Sequence, residues 1–305
     1  MPTENQLIFD VNKYTFGMEF EMKYVQRKYV ADLVRRFLGV PLRAVRYDNH
    51  YDSYWIVDKF GRRWRAMSDG SLSDGNKGCE LVTPILTYSC DYKNLLDLID
   101  FIKDNSSAET DNECGIHIHI GAEGFTTKDI INIQKLWYCY EDLIFKALKV
   151  EENRYKYCKK SDELFIQKLK EVKNTWFLSR EKLKNMWYED CSDSPDYKYN
   201  QTRYQSLNFH SLFTKGTMEF RLFNGTLERH LIQSYLQFIL AFVRYATSLK
   251  RPRFHQIIRE NEKYTMRSFL RNLRLNGDEF KICRRVFLEN LKGDVANSKV
   301  KETIN

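Results

Sequence analysis

Seven side chains able to hold a divalent cation or a phosphate fall on four short alternating runs. FGMEFEM sets Glu19 and Glu21 two apart, GCELVTP carries Glu80, CGIHIHIG carries His117 and His119, and TMEFRLF carries Glu219 and Arg221. Carboxylate oxygens are hard ligands suited to Mg²⁺ or Mn²⁺, and imidazole is tolerated by Mn²⁺ and by some Mg²⁺ sites. An arginine two residues from a ligand carboxylate is well placed to neutralise phosphate oxygens. Such a set could hold two or more cations bridging nucleotide phosphates, the arrangement that phosphoryl transfer requires. A solvated sheet face also alternates, but it normally mixes Lys, Thr, Ser and Glu. Here every marked position is metal- or phosphate-competent, and like-charged Glu19 and Glu21 repel each other unless a cation offsets them.

These groups must be positioned by strands, because residues two apart share a face only in a strand. Phe16, Met18, Phe20 and Met22, then Ile116, Ile118 and Ile120, and then Met218, Phe220 and Leu222 supply the opposite, apolar faces. QRKYVADLVRRFLGV is expected to be helical, and DSYWIVDKFGRRWRAMSDGS is expected to form a hairpin turning at Lys59–Gly61. Pro84 should stop the GCELVTPIL strand, and a helix capped by Asp91 should follow in DYKNLLDLIDFIKDN. Residues 126–200 read as a lysine- and aromatic-rich helical insertion or lid. It opens at a threonine N-cap before KDIINIQKLWYCYEDLIFKAL, continues through LFIQKLKEVKNTWF and SREKLKNMWYED, and ends in the loop CSDSPDYKYNQ. RYQSLNFHSLF and GTMEFRLFNGT return to strand texture, and helices over LERHLIQSYLQFILAFVRYATSL, YTMRSFLRNLRL and DEFKICRRVFLENL finish the chain. The order favours an α+β fold with a mainly antiparallel sheet, a helical insertion and a helical C-terminal part. No GxGxxG opens a helix after a strand and no GxxxxGK[ST] occurs, so a Rossmann or P-loop assignment has no support.

The 305 residues, 43% of them hydrophobic, suffice for a substantial core. No apolar run reaches the length of a membrane span. The opening MPTENQLIFDVNKY lacks a secretory pattern, and the seven cysteines are scattered singly. The expectation is a cytoplasmic protein with reduced thiols. The net charge is +8, and between Arg244 and Arg285 twelve Lys/Arg stand against four Asp/Glu, so any basic patch belongs to the C-terminal part.

FGMEFE, DGSL, CELVTP, CGIHIHIG, Arg203 with Asn208, and GTMEFRLFNGT resemble, in order and spacing, the amidoligase family. That family belongs to the carboxylate–amine ligase superfamily, which has the glutamine synthetase and glutamate–cysteine ligase fold. The resemblance runs from about residue 14 to about 245, departs in the long insertion, and has no counterpart beyond about residue 250. It implies a catalytic domain over residues 1–250, with a basic helical extension over 251–305 packed on it. It also implies ATP-dependent amide formation, in which ATP phosphorylates a carboxylate and an amine attacks the acyl phosphate. By the same resemblance, Glu19, His117 and Glu219 would hold a metal near the ATP phosphates, and Glu21 and Glu80 a second one near the acceptor carboxylate. His119 would touch phosphate, while Arg221 and Arg203 would stabilise the group in transfer. Asp69 and Ser71 match the family's turn, where Asp69 would contact the cofactor, though DG is also an ordinary hairpin signal, and Asn208 would bind cofactor or substrate or satisfy a strand edge.

Implied partners are ATP, Mg²⁺ or Mn²⁺, and an amino acid, peptide or protein carboxylate with an amine co-substrate, without a membrane. Oligomeric state is open. A metal-dependent hydrolase is the competing enzyme class, and a degenerate basic module contacting nucleic acid through Arg244–Arg285 is the non-enzymatic one. For that stretch a solvated helix face is the simpler reading, because no nucleic-acid motif accompanies it. Cys114 lacks an indicated base. Trp64, Trp137, Trp176 and Trp187 read as core or lid packing, and His210, His230 and His255 as structural or surface residues.

Overall fold

A computed structural model describes residues 11–296 apart from 74, 173–176, 251, 253–254 and 258–259. The N-terminal ten residues read for a secretory pattern, Trp176, and the arginines Arg251, Arg253 and Arg259 of the basic stretch therefore lie outside the described residues. Among the described residues nine strands form one sheet: β1 Thr15–Met22, β2 Val45–Asp48, β3 Ser53–Val57, β4 Arg63–Met67, β5 Cys79–Val82, β6 Leu86–Thr87, β7 Gly115–Gly121, β8 Leu207–Asn208 and β9 Thr217–Asn224. The order is β2-β3-β4-β5-β1-β7-β9-β8, β6 pairs with β1, and every strand pairing is antiparallel. The fold is α+β.

The helices are α1 Arg27–Phe37, α2 Tyr88–Asp104, α3 Thr127–Leu148, α4 Glu163–Glu171, α5 Arg180–Tyr188, α6 Phe209–Lys215, α7 Arg229–Ser248, α8 Glu262–Asn272 and α9 Lys281–Leu288. The hairpin turn lies where expected, with Asp58 and Arg62 closing it and Gly61 at φ 78. Asp91 does not cap α2 from outside. The helix begins at Tyr88, and Asp91, within its first turn, accepts from the Thr87 amide at 2.9 Å and from Arg62 at 2.7 Å. RYQSLNFHSLF also differs from its strand reading. Only Leu207–Asn208 form a strand, Gln205 making an isolated bridge to Lys159, after which Asn208 accepts from the Ser211 amide and opens α6.

The apolar face of the central strands is fully buried: Met18, Phe20, Ile116, Ile118, Phe220 and Leu222 are at most 1% exposed. Helix α3, expected as part of a lid, instead packs on this face. Thr126 and Asp129 form a reciprocal cap at its start, and Trp137 meets Phe220 at 5.1 Å and Phe242 of α7 at 5.4 Å. The C-terminal helices join the same core, with Phe287 stacked on Phe238 at 4.1 Å and Phe269 on Tyr140 at 3.6 Å. Trp64, Trp137 and Trp187 are buried, and His210 bonds the Tyr188 hydroxyl at 2.6 Å. Residues from about 150 to 206 divide between two sides: Ser161, Glu163 and Ser206 bond α3, while Arg154, Tyr157, Tyr199, Arg203 and Tyr204 reach the other face of the sheet. They are tied to it where Ser206 bonds Lys159 and accepts from the Arg221 amide.

Candidate active site

Strand register brings the marked residues together. On β1, Glu19 faces His117 of β7 and Glu21 faces Glu80 of β5. His119 of β7 faces Glu219 of β9, and Glu219 in turn faces Asn208 of β8. A shift in the β7–β9 pairing between Ile116 and Ile118 alters the alternation beside His117. All these side chains lie on one face, and Glu21, Glu80, His117, His119, Glu219 and Arg221 are buried.

Glu19 is the hub. One of its oxygens is 2.8 Å from His117 Nδ1, and the other is 3.0 Å from His119 Nε2 and 3.6 Å from Lys215 Nζ. The nearer ring nitrogen of each histidine is 3.8 Å from Glu219 Oε1. His119 Nδ1 is held by the Thr217 hydroxyl at 3.0 Å, which leaves Nε2 turned towards the carboxylates. His117 Nε2 is 3.6 Å from Glu21, so that ring stands between the two carboxylates of β1. Glu219 accepts from Arg221 Nη1 and, at 2.6 Å, from Asn208 Nδ2. Asn208 thus fixes Glu219 while its own carbonyl oxygen caps α6. Asp69 accepts from the amide and hydroxyl of Ser71 and joins Glu21 and Glu80. Ligand atoms of Glu19–Glu80–His117, of Glu19–His119–Glu219 and of Glu21–Asp69–Glu80 lie within 4.8 Å of one another in each group.

Electrostatics separates these groups. Burial penalises the Glu219 and Glu19 carboxylates, yet Arg221, His119 and Lys215 hold Glu219 well below the usual range, and His119 and Lys215 do the same for Glu19. Burial and the nearby carboxylates of Glu19, Asp69 and Glu21 push Glu80 well up. Glu21 rises to about 7 through burial and Asp69, and His117 falls to about 4 through burial and Arg221. Glu80 has no hydrogen-bond or ion-pair partner among the described residues. A cluster of buried carboxylates in register and short of cationic partners suits a divalent cation. The donor set, hard oxygens with one or two imidazoles, suits Mg²⁺ or Mn²⁺.

The sequence reading missed several participants. Arg154, buried, donates to the carbonyls of Arg221, Leu222 and Phe223 and lies over Gly115, where any Cβ would come within 2.1 Å of its guanidinium. Nothing in EENRYKYC marks it. Lys215 stands at the end of α6, immediately before the left-handed Gly216. Arg203 comes to the same cavity, but it is packed against the rings of Tyr199 and Tyr204 at 5.5 Å each and makes no carboxylate pair among the described residues. Cys114 is buried and its thiol is pushed up to about 12, as expected of an inert cysteine.

Two cavities flank Glu19. One, of about 270 Å³, is polar and runs between Glu21, Asp69, Glu80 and His117 on one side and Arg154, Arg203 and Arg221 on the other. The second, of about 230 Å³, is largely apolar, with Val82, Pro84 and Ile85 opposite Lys215, Thr217 and His119.

Residues 12–243 match the family described as "Putative amidoligase enzyme". No curated protein matches the chain. Among solved structures, a bifunctional glutathione synthetase from Pasteurella multocida aligns over 93% of this chain at 13% identity with a TM-score of 0.44. This chain spans about half, 48%, of that one. With a match over most of its length, the chain belongs to the amidoligase family.

Proposed function

We propose that this chain is an ATP- and Mg²⁺-dependent carboxylate–amine ligase working through an acyl phosphate. The observation that carries the reading is a pair of neighbouring carboxylate clusters, one around Glu19 and Glu219 with Arg221 locked beside it and the other, of Glu21, Asp69 and Glu80, short of cationic partners. Glu19 and Glu219 with His117 or His119 would hold one cation, and Glu21, Asp69 and Glu80 the other. Asp69 thereby joins the second cluster, to which the sequence reading assigned only Glu21 and Glu80. When bound, Mg²⁺ or Mn²⁺ would neutralise phosphate oxygens and draw charge from the transferring group.

The chain's own residues perform the remaining tasks. Arg221, kept charged by Glu219, and Arg203 face the phosphoryl group as it leaves ADP for the carboxylate oxygen. His117, kept neutral near neutral pH, and His119, held by Thr217, present ring nitrogens to cation or phosphate. The apolar cavity beside Lys215 suits a nucleobase with its phosphates turned towards Glu19. The arginine-rich cavity suits the acceptor carboxylate, and Tyr157, Tyr199 and Tyr204 on its wall limit access of water to the acyl phosphate.

The test is ADP release in the presence of Mg²⁺ across a panel of carboxylates and amines. Release that requires both co-substrates is expected. Amide-bond turnover without ATP, or hydrolysis of a metal-bound substrate without an amine, would sink the reading in favour of a hydrolase.

A further inference from the structure

Outside the carboxylate clusters, the mouth of the polar cavity carries an unbroken alternation of rings and cations. Arg65 lies over the Trp55 ring at 4.4 Å and the Tyr51 ring at 5.7 Å, and Lys198 over Tyr51 at 4.2 Å. The series continues from Lys198 to Tyr199, and through Arg203 to Tyr204, at 5.5 Å each. It crosses from the β2–β3–β4 ribbon to the loop before β8, two parts of the chain far apart in sequence, and its inner end lines the cavity.

Three features mark this series as a binding surface. Arg65, Lys198 and Arg203 make no ion pair with a carboxylate among the described residues, and Arg65 Nε has no hydrogen-bond partner. Tyr51 and Asp52 sit at φ 61 and φ 42, left-handed conformations costly for residues with a Cβ. Buried Arg27 holds that turn by gripping Asp52 at 2.9 Å and the carbonyls of Gly75 and Gly78, so the Tyr51 ring is kept where the series needs it. Trp55 and Arg65 also share the face of the sheet that bears Glu19 and Glu21, since Trp55 faces Arg65, Arg65 faces Val82, and Val82 faces Glu19. That face lies open over β3 and β4, where Arg63 is exposed and Trp55 and Val57 are half-buried.

We propose that this series is a docking track for an extended acidic peptide, which delivers one of its carboxylates to the polar cavity. The inference deepens the ligase reading by naming its acceptor class. Arg65, Lys198 and Arg203 each lie over two rings and, among the described residues, bond only carbonyl or hydroxyl oxygens, so their charge is left to pair with an Asp or Glu side chain. From β3 to β1 the sheet spans three strand spacings, roughly 14 Å, which about four or five extended residues cover. A nucleic-acid strand carries the same sign of charge, but its evenly spaced phosphates would run into Glu21, Asp69, Glu80 and Glu113 at the inner end. A peptide brings scattered carboxylates and one reacting end.

The test uses the whole protein and a fluorescein-labelled peptide of alternating Glu and Gly, its Gln counterpart, and a labelled oligothymidylate of similar length. At low salt, about 50 mM, the Glu peptide is expected to bind at least about tenfold more tightly than the Gln peptide, and to weaken as salt rises. Arg65→Met with Lys198→Met should cost the Glu peptide about tenfold while ADP release with a small carboxylate and amine is retained. The Glu-to-Gln comparison needs no variant, so it stands even where the double variant misfolds. Equal binding of the two peptides, or displacement of the Glu peptide by the oligothymidylate, overturns the track. Loss of ADP release in the unaltered protein with Glu-selective binding intact overturns the ligase reading and leaves the track standing.

Discussion

Glu219 and Glu141 are both buried carboxylates, and their surroundings give them opposite behaviour. Glu219 is held ionised by Arg221, so its charge is available to a cation. Glu219→Gln should therefore abolish ligase turnover. It should also remove the rise in melting temperature that Mn²⁺ gives the unaltered protein, read by differential scanning fluorimetry with and without the ion. An unchanged Mn²⁺ response would confine Glu219 to holding Arg221. Glu141, on α3, accepts from Trp137 Nε1 at 3.0 Å and the Ser161 amide at 2.9 Å, and also bonds the Ser206 hydroxyl. Burial nevertheless pushes it from 4.5 up to about 7. Folding thus favours its protonated form. That contribution is complete below about pH 4.5 and disappears as pH rises through 7, for a total of roughly 3 kcal/mol. Glu141→Gln should flatten that part of the stability–pH curve, measured as urea midpoints at pH 5 and pH 8. An unaltered slope would assign the pH dependence to other groups. None of this was legible from YCYEDLIF, because Glu141 lies on a helix whose apolar stripe says nothing about which polar residue turns inward.

At the level of elements, alternation in FGMEFEM, CGIHIHIG and TMEFRLF was enough to place the strands and their shared face, because a period of two has only two outcomes. It could not show that the marked face would itself be lined by Arg154, Tyr157, Tyr199 and Tyr204, since these residues belong to no strand and carry no periodic signal. For the same reason Asp69 was placed against the cofactor or in a turn and not beside Glu21 and Glu80, and Lys215 and Arg154 went unmarked. The misreading of RYQSLNFHSLF arose because Asn208 is both a strand residue and a helix cap, and the cap won at Phe209. The glycine that opens the histidine strand is set by contact: Gly115 has no Cβ because Arg154 occupies its place. Gly115→Ala should displace Arg154 from its three carbonyls and cost about 2 kcal/mol or more, checked by denaturant unfolding. A near-neutral result would mean that the guanidinium has room to move aside.

Across the whole molecule, the basic C-terminal part is continuous with the core. Arg244 donates to the Leu273 carbonyl and Arg284 to those of Leu275 and Gly277, while Arg271 and Arg285 are exposed. Part of the charge that the sequence concentrated there, that of Arg244 and Arg284, therefore caps and braces helices. Arg271→Glu with Arg285→Glu should leave retention on a nucleic-acid column unchanged at moderate salt, and a marked loss would restore the nucleic-acid reading. Among the described residues no helix is long and apolar enough to cross a membrane. The grip of Arg154 on β9 has a further consequence for recombination between relatives. The segment that carries Arg154 is the part of the chain where acceptor preference would diverge, yet it cannot be exchanged as a cassette between any two frameworks. A donor segment must bring its own arginine to a host strand that offers a glycine, so productive chimeras should be confined to pairs that match at both positions.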